Sequence, residues 1–261
     1  MTNVVSADGT TLVARRCGHG VPVVLIHGSA GGLDSWDGVA PFLADAFEVW
    51  VYARRGYAPS QTGGHEKTFA DDVADALAVV HAAGGDAHLV GASYGGTVGL
   101  HVARNNASAL RSLAVFEPPL FASGAALLPV LGSYESLIAS GDLAAAARLF
   151  AEKVARIPTE LLVTLQPDGG DVAEAVGCLS DLHAMASDET GVDRWTDIDI
   201  PTLLMQGANS WPPIPSTMER LASVLPAAHR CVLVGQSHFA NHTAPELFAA
   251  ELRRFLHKHS G

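Results

Sequence analysis

Charge is scarce in this sequence, and cysteine scarcer still. Only 16% of the 261 residues are Asp, Glu, Lys or Arg, and basic residues are outnumbered 16 to 27, which leaves a net charge of −11. Low charge combined with a hydrophobic content of 48% excludes a disordered chain. The shortage of Lys and Arg argues against nucleic acid and anionic lipid as partners, because an acidic surface repels both. Cys17, Cys178 and Cys231 lie far apart, with neither CxxC nor Cys/His ligand spacing. Disulfides and structural zinc are therefore unsupported, and a reducing cytoplasm is the expected location. The opening MTNVVSADGT lacks a basic n-region and an apolar h-region, and no stretch reaches about 18 uninterrupted apolar residues. Neither an export signal nor a membrane anchor is expected. No G-x-G-x-x-G with a following acid and no G-x-x-x-x-G-K-[ST] occurs, so no cofactor is expected either.

What is present is an alternation of short β-branched runs with longer helical patterns. That alternation is the signature of an α/β fold, a mainly parallel sheet flanked by helices. Strands are predicted at 11–16, 21–26, 47–52, 87–91, 110–116, 202–207 and 229–234, and helices at 34–44, 68–83, 95–104, 216–225 and 244–257. From about 120 to 195 the character changes: Ala and Leu dominate, and no β-branched run is bounded like a strand. A helical insertion is expected there. Its clearest helix is 143–154, capped by Asp142 after Gly141, with Leu143, Ala146, Ala147, Phe150 and Val154 on one face. Pro158, Gly169-Gly170 and Gly191 divide the rest into three or four short helices.

Three loops carry chemistry. Gly91-Ala92-Ser93-Tyr94-Gly95-Gly96 stands between a predicted strand and a predicted helix. There the small flanking residues permit a strained turn that lifts the serine hydroxyl clear of the sheet. His27-Gly28-Ser29-Ala30-Gly31-Gly32 follows the strand Val23-Val24-Leu25-Ile26, at a carboxyl edge where open α/β sheets bind ligands. The N–H groups of Ser29 and Tyr94 are the expected donors to an oxyanion, and His27 is read as a structural hydrogen-bonder. Gly235-Gln236-Ser237-His238 follows the last predicted strand, from which His238 can reach the sheet top near Ser93. His81, His88, His101, His257 and His259 fall within helices or a strand and are read as packing or surface groups.

This ordered set resembles the α/β-hydrolase superfamily over essentially the whole chain. The resemblance implies a helical lid at 120–195, between a first core part at 1–119 and a second at 196–261. In most members the acid of the triad follows the seventh strand, in a segment similar to P-T-L-L-x-x-G-x-x-D. Here Ser210 occupies that position, after Pro201-Thr202-Leu203-Leu204-Met205-Gln206-Gly207-Ala208-Asn209. Ser210 carries no charge to orient a base, and its removal is expected to be almost silent. A carboxylate appears instead at Glu117, in Phe116-Glu117-Pro118-Pro119, and some members, certain haloalkane dehalogenases and fungal zearalenone lactonases among them, are similar in taking their acid from this strand end. A plain strand terminator at Glu117, with a dyad completed by water or Asn209, is the alternative. Tyr52-Ala53-Arg54-Arg55-Gly56-Tyr57 resembles the family's D-x-R-G-x-G-x-S loop, and its arginines are read as braces.

The expected activity is hydrolysis of an ester, lactone or thioester of a largely apolar small molecule through an acyl-enzyme, with Ser93, His238 and Glu117 as triad. Trp36, Trp195 and Trp211 are candidates for the substrate pocket. Perhydrolysis or C–C bond cleavage by the same residues, and a hydrolase-like binding protein with residual catalysis, are the alternatives. The partner is a small molecule; a homo-oligomer is left open.

Overall fold

The computed structural model describes residues 1–165 and 170–261, with the backbone alone for 164 and 165. The predicted break at Gly169 lies outside the described residues. Eight strands are seen: β1 Thr2–Val5, β2 Thr11–Gly18, β3 Val21–Ile26, β4 Phe47–Tyr52, β5 Ala87–Ala92, β6 Leu110–Phe116, β7 Thr202–Gly207 and β8 Ala228–Leu233. They form one sheet in the order β1-β2-β4-β3-β5-β6-β7-β8. β1 and β2 pair antiparallel, as do β2 and β4; every later pairing is parallel.

The central strands are buried on both faces, which is why they read as continuous apolar runs. Alternation still sorts them. Val23, Leu25, Val49, Val51, Val90 and Phe116 point into one core, while Val24, Ile26, Trp50, Tyr52, Leu89 and Val115 point into the other. The first core is closed by α1 (Ala40–Leu43) and by the last helix of the chain, whose Phe248, Leu252 and Leu256 are fully buried. α2 (Phe69–Ala82) and α3 (Tyr94–Asn106) cover the opposite face.

Among the described residues between β6 and β7 the chain builds four α-helices: α4 Leu128–Ser140, α5 Leu143–Lys153, α6 Thr159–Leu165 and α7 Val172–Ser187. α5 starts as expected, with the Asp142 carboxylate accepting the Ala145 N–H at 3.0 Å. Asp171 caps α7 in the same way through Glu174 N–H at 2.8 Å. α8 (Ile214–Val224), α9 (Ala240–Thr243) and α10 (Pro245–Lys258) complete the chain. Among the described residues no helix is long and apolar enough to cross a membrane.

Two expectations fail in the amino-terminal part. β1 is an additional strand; only four residues long at the sheet edge, with Val4 alone turned inward, it carries too little periodicity to be read. The helix expected at 34–44 is instead a 3-10 turn at Leu33–Trp36 and the single turn of α1. Gly38 disfavours a helix interior, and Pro41 lacks the N–H that a continuous helix would need.

Phe248 bridges this core: its ring lies 5.1 Å from that of Phe116 and 6.0 Å from that of Trp36. Phe248→Ala is expected to lower stability by about 3–5 kcal/mol, read as a lower urea midpoint at unchanged slope. A shift of under about 1 kcal/mol would mean the core is less closely filled than described.

Candidate active site

Ser93 stands at the turn from β5 into α3 with φ 53° and ψ −123°, a backbone state costing on the order of 1–3 kcal/mol for a non-glycine residue. The surroundings impose it. Ser93 N–H donates to Phe116 O at 2.8 Å, and Ser93 O accepts from Gly96 N–H at 2.8 Å. A Cβ on Gly91 would meet Gly95 O at 2.1 Å, so Gly91 is demanded by the tightness of the turn itself, and one on Gly95 would meet Ile26 O at 2.4 Å, so Gly95 is demanded by the closeness of the turn to β3.

Glu117 lies one residue beyond β6, fully buried, with φ 48°. Its Oε2 lies 2.6 Å from His238 Nδ1. Its Oε1 accepts two more hydrogen bonds, from Gly207 N–H at 2.7 Å and from Ser210 Oγ at 2.6 Å. The Ser210 hydroxyl, standing where the family's aspartate is expected, therefore holds the carboxylate that reaches the histidine. The expectation of a silent Ser210 did not anticipate this bond. Asn209 is exposed, and its backbone N–H donates to Gln236 O at 2.8 Å.

His238 is carried by the loop after β8, which sits directly on the end of β7. A Cβ on Gly207 would meet Gln236 O at 2.6 Å. The imidazole is flanked by the rings of Phe116, stacked at 6.0 Å, and Trp211, edge-on at 5.7 Å. Ser93 and His238 line the same cavity of about 390 Å³, and with Ser29 and Glu117 they also line a small inner one. Tyr94 opens α3, so its N–H has no acceptor within the helix.

The alpha/beta hydrolase fold family matches residues 21–245. The chain belongs to the α/β-hydrolase family. It is 28% identical to a non-heme haloperoxidase of Rhodococcus erythropolis over 98% of this chain and 99% of that one. An α/β hydrolase of Sphaerobacter thermophilus superposes with a TM-score of 0.86 at 30% identity, over 98% of this chain and 100% of the other. An enol-lactonase of Burkholderia xenovorans shares the fold, with a TM-score of 0.78 at 19% identity over 98% and 100%. Family membership and these relatives support hydrolase activity.

Of the three tryptophans expected at the pocket, Trp36 lines the larger cavity of this α/β hydrolase, and Trp211 touches His238 while its Nε1 donates to Ala155 O at 3.0 Å. Trp195 is elsewhere. It is buried beneath the Arg194 guanidinium at 4.2 Å and edge-on to His101 at 4.9 Å, and it lines neither cavity. His27 is a structural group: its Nε2 accepts the Arg54 N–H at 3.0 Å and its Nδ1 bonds Gly28 O at 2.7 Å. Burial lowers its pKa to about 3, so it stays neutral.

A buried ionic cluster that the sequence motifs do not mark anchors the Ser29 loop. Asp181 of α7, fully buried, accepts from Arg54 at 2.8 and 2.7 Å, Lys67 at 2.5 Å, Tyr57 Oη at 2.7 Å and Ser29 Oγ at 2.6 Å. Arg54 in turn donates to His27 O at 2.9 Å and Gly28 O at 3.1 Å. The arginine braces the loop as expected, and Asp181 is its buried counter-ion. A signal for it does exist, because Cys178, Asp181, Leu182 and Met185 form one buried helical stripe, and a carboxylate there needs a cation. Burial alone would raise the pKa of Asp181, but Arg54 and Lys67 outweigh it and hold the carboxyl well below the usual range.

Asp181→Asn leaves Arg54 and Lys67 buried without their main partner and is expected to cost about 3–5 kcal/mol at pH 7. A folded-state pKa below the unfolded value of about 3.9 gives stability that is complete above that value and lost as pH falls through the folded one. The difference between wild type and variant in denaturant titrations therefore narrows below about pH 4. A gap that widens on acidification would contradict the charge assignment.

Proposed function

We propose that this protein is a serine hydrolase acting on carboxylic esters, lactones or thioesters. The observation that carries the reading is the 2.6 Å contact between His238 Nδ1 and the buried Glu117 carboxylate, made beside a cavity that His238 shares with Ser93. A carboxylate at Nδ1 selects the tautomer that leaves Nε2 free as general base. Ser93 Oγ then attacks the carbonyl carbon as His238 takes its proton. The oxyanion is received by the N–H groups of Ser29 and Tyr94, His238 returns the proton to the departing alcohol, and water resolves the acyl-enzyme. Glu117 stabilises the imidazolium throughout.

The segment 120–195 serves as a lid in this reading, with 1–119 and 196–261 as the two parts of the core. Support comes from α5 and α7, whose Phe150 and Met185, with Val154 just past α5, wall the inner cavity. Three free thiols suit a cytoplasmic location. One second reading has a specific observation behind it: the Rhodococcus relative is named a haloperoxidase. Hydrogen peroxide in place of water would then take the acyl group from Ser93 and give a peracid. Measuring peracid formation against acid release from one ester separates the two.

Stoichiometric labelling by a fluorophosphonate, abolished by Ser93→Ala, tests the nucleophile and excludes a mere binding protein. Ser93→Ala is expected to cost roughly 10⁴–10⁶ in kcat with the fold retained, and turnover within tenfold of wild type would sink the assignment. Glu117→Gln is expected to lose on the order of 10³–10⁴. Ser210→Ala removes one of three bonds to Glu117 and should lose roughly tenfold, the equivalent of about 1.4 kcal/mol. Wild-type rates in Glu117→Gln would return the acid role to water or Asn209.

A further inference from the structure

Two cavities meet at Ser93, and they differ above all in size; each has one carboxylate in its lining, Glu117 bonded to His238 in the inner one and Asp34 in the outer one. The inner one measures about 20 Å³, room for one or two water-sized groups. Its far wall is apolar, from Phe121, Phe150, Val154, Met185 and Ile214. The outer one, about 390 Å³, is bordered by Asp34, Ser35, Asn241 and His242, and no Lys or Arg is among its lining residues.

Asp34 forms no ion pair among the described residues, and it lies close enough to His242 to act on its charge. Burial nevertheless lowers the His242 pKa, so that ring is neutral at pH 7 and the wall keeps one uncompensated negative charge. Through Ala30, Gly31 and Asp34 the outer cavity adjoins a surface cavity bearing Asp171, whose one cation among the described lining residues, Arg15, is engaged by Asp37.

In an ester hydrolysis the acyl half stays on Ser93 after the first step, whereas the alcohol must escape to solvent. The acyl half therefore belongs in the small inner cavity and the alcohol in the large outer one. Building on the Ser93–His238 reading, we infer that the substrates are esters of a very short acid, acetyl or propionyl, with a larger alcohol that is neutral or cationic and carries no anionic group. The bond formed is acyl carbon to Ser93 Oγ, and the bond broken is acyl carbon to alcohol oxygen. The Ser93 proton passes through His238 to the alcohol, and water then regenerates the serine.

Steady-state kcat/KM on two ester series tests this. With a fixed 4-nitrophenyl leaving group, activity is expected to fall roughly 100-fold from acetate to octanoate, since overfilling a packed cavity costs about 1–3 kcal/mol. Phe150→Ala and Val154→Ala should raise the octanoate-to-acetate ratio. With acetyl fixed, acetylcholine, its neutral isostere 3,3-dimethylbutyl acetate and 4-acetoxybutanoate are compared at low salt. The cationic ester is expected to exceed the anionic one by roughly tenfold, and both added salt and Asp34→Asn should shrink that ratio about threefold. Octanoate cleaved as well as acetate, or an anionic ester cleaved as fast as the cationic one, would overturn the inference. Either result leaves the nucleophile assignment standing, because that is decided by Ser93→Ala.

Discussion

The hydrogen bond between His238 Nδ1 and Glu117 Oε2 is the contact around which the rest of the site is arranged. A buried carboxylate is costly unless its lone pairs are met, and Glu117 has three donors: the histidine, Gly207 N–H and Ser210 Oγ. Two of them come from the end of β7, where the family's acid would stand. The position where the family's acid is expected thus supplies donors to the carboxylate of Glu117. Both solutions bring a carboxylate to the same imidazole, because adjacent parallel strands β6 and β7 end side by side.

A second constraint acts on the opposite side of Ser93. The loop after β3 approaches Ser93 so closely that a Cβ on Gly28 would lie 3.1 Å from Ser93 Cβ. A glycine-bearing loop has no rigidity of its own, and the Arg54–Asp181 pair provides it from outside. Arg54 holds the carbonyls of His27 and Gly28, and Asp181 holds the hydroxyl of Ser29. Since Asp181 belongs to α7, the helical segment over the site and the loop beneath it are joined through one carboxylate. Such a buried pair is weak support for stability in itself, but losing one partner is expensive, which ties the shape of the loop to the seating of the helix.

Much of this is legible in the sequence for simple physical reasons. β3, β4, β6 and β7 are buried on both faces and bounded by turn residues, so their predicted and observed extents agree to the residue. The order of the three loops and their strand contexts point to Ser93 and His238, and Pro118-Pro119 marks where β6 must stop and leave Glu117 at its end. What escapes is decided by contacts distant in sequence. β1 depends on pairing with β2. Asp181 depends on a partner 127 residues away, and the role of Ser210 on one 93 residues away. The inner cavity is lined from α5, α7 and α8 and from the loops after β3, β5, β6 and β8, an arrangement no local pattern encodes.

The proposed function, a serine hydrolase with its acid at the end of β6, makes one direct physical demand: the Nδ1 proton of His238 must lie in a short hydrogen bond to a carboxylate. Proton NMR of the resting protein reads that bond as a far-downfield imidazole N–H resonance. The account predicts that this resonance is present in wild type and in Ser93→Ala and lost in Glu117→Gln. Its persistence in Glu117→Gln, or its absence from folded wild type, would contradict it.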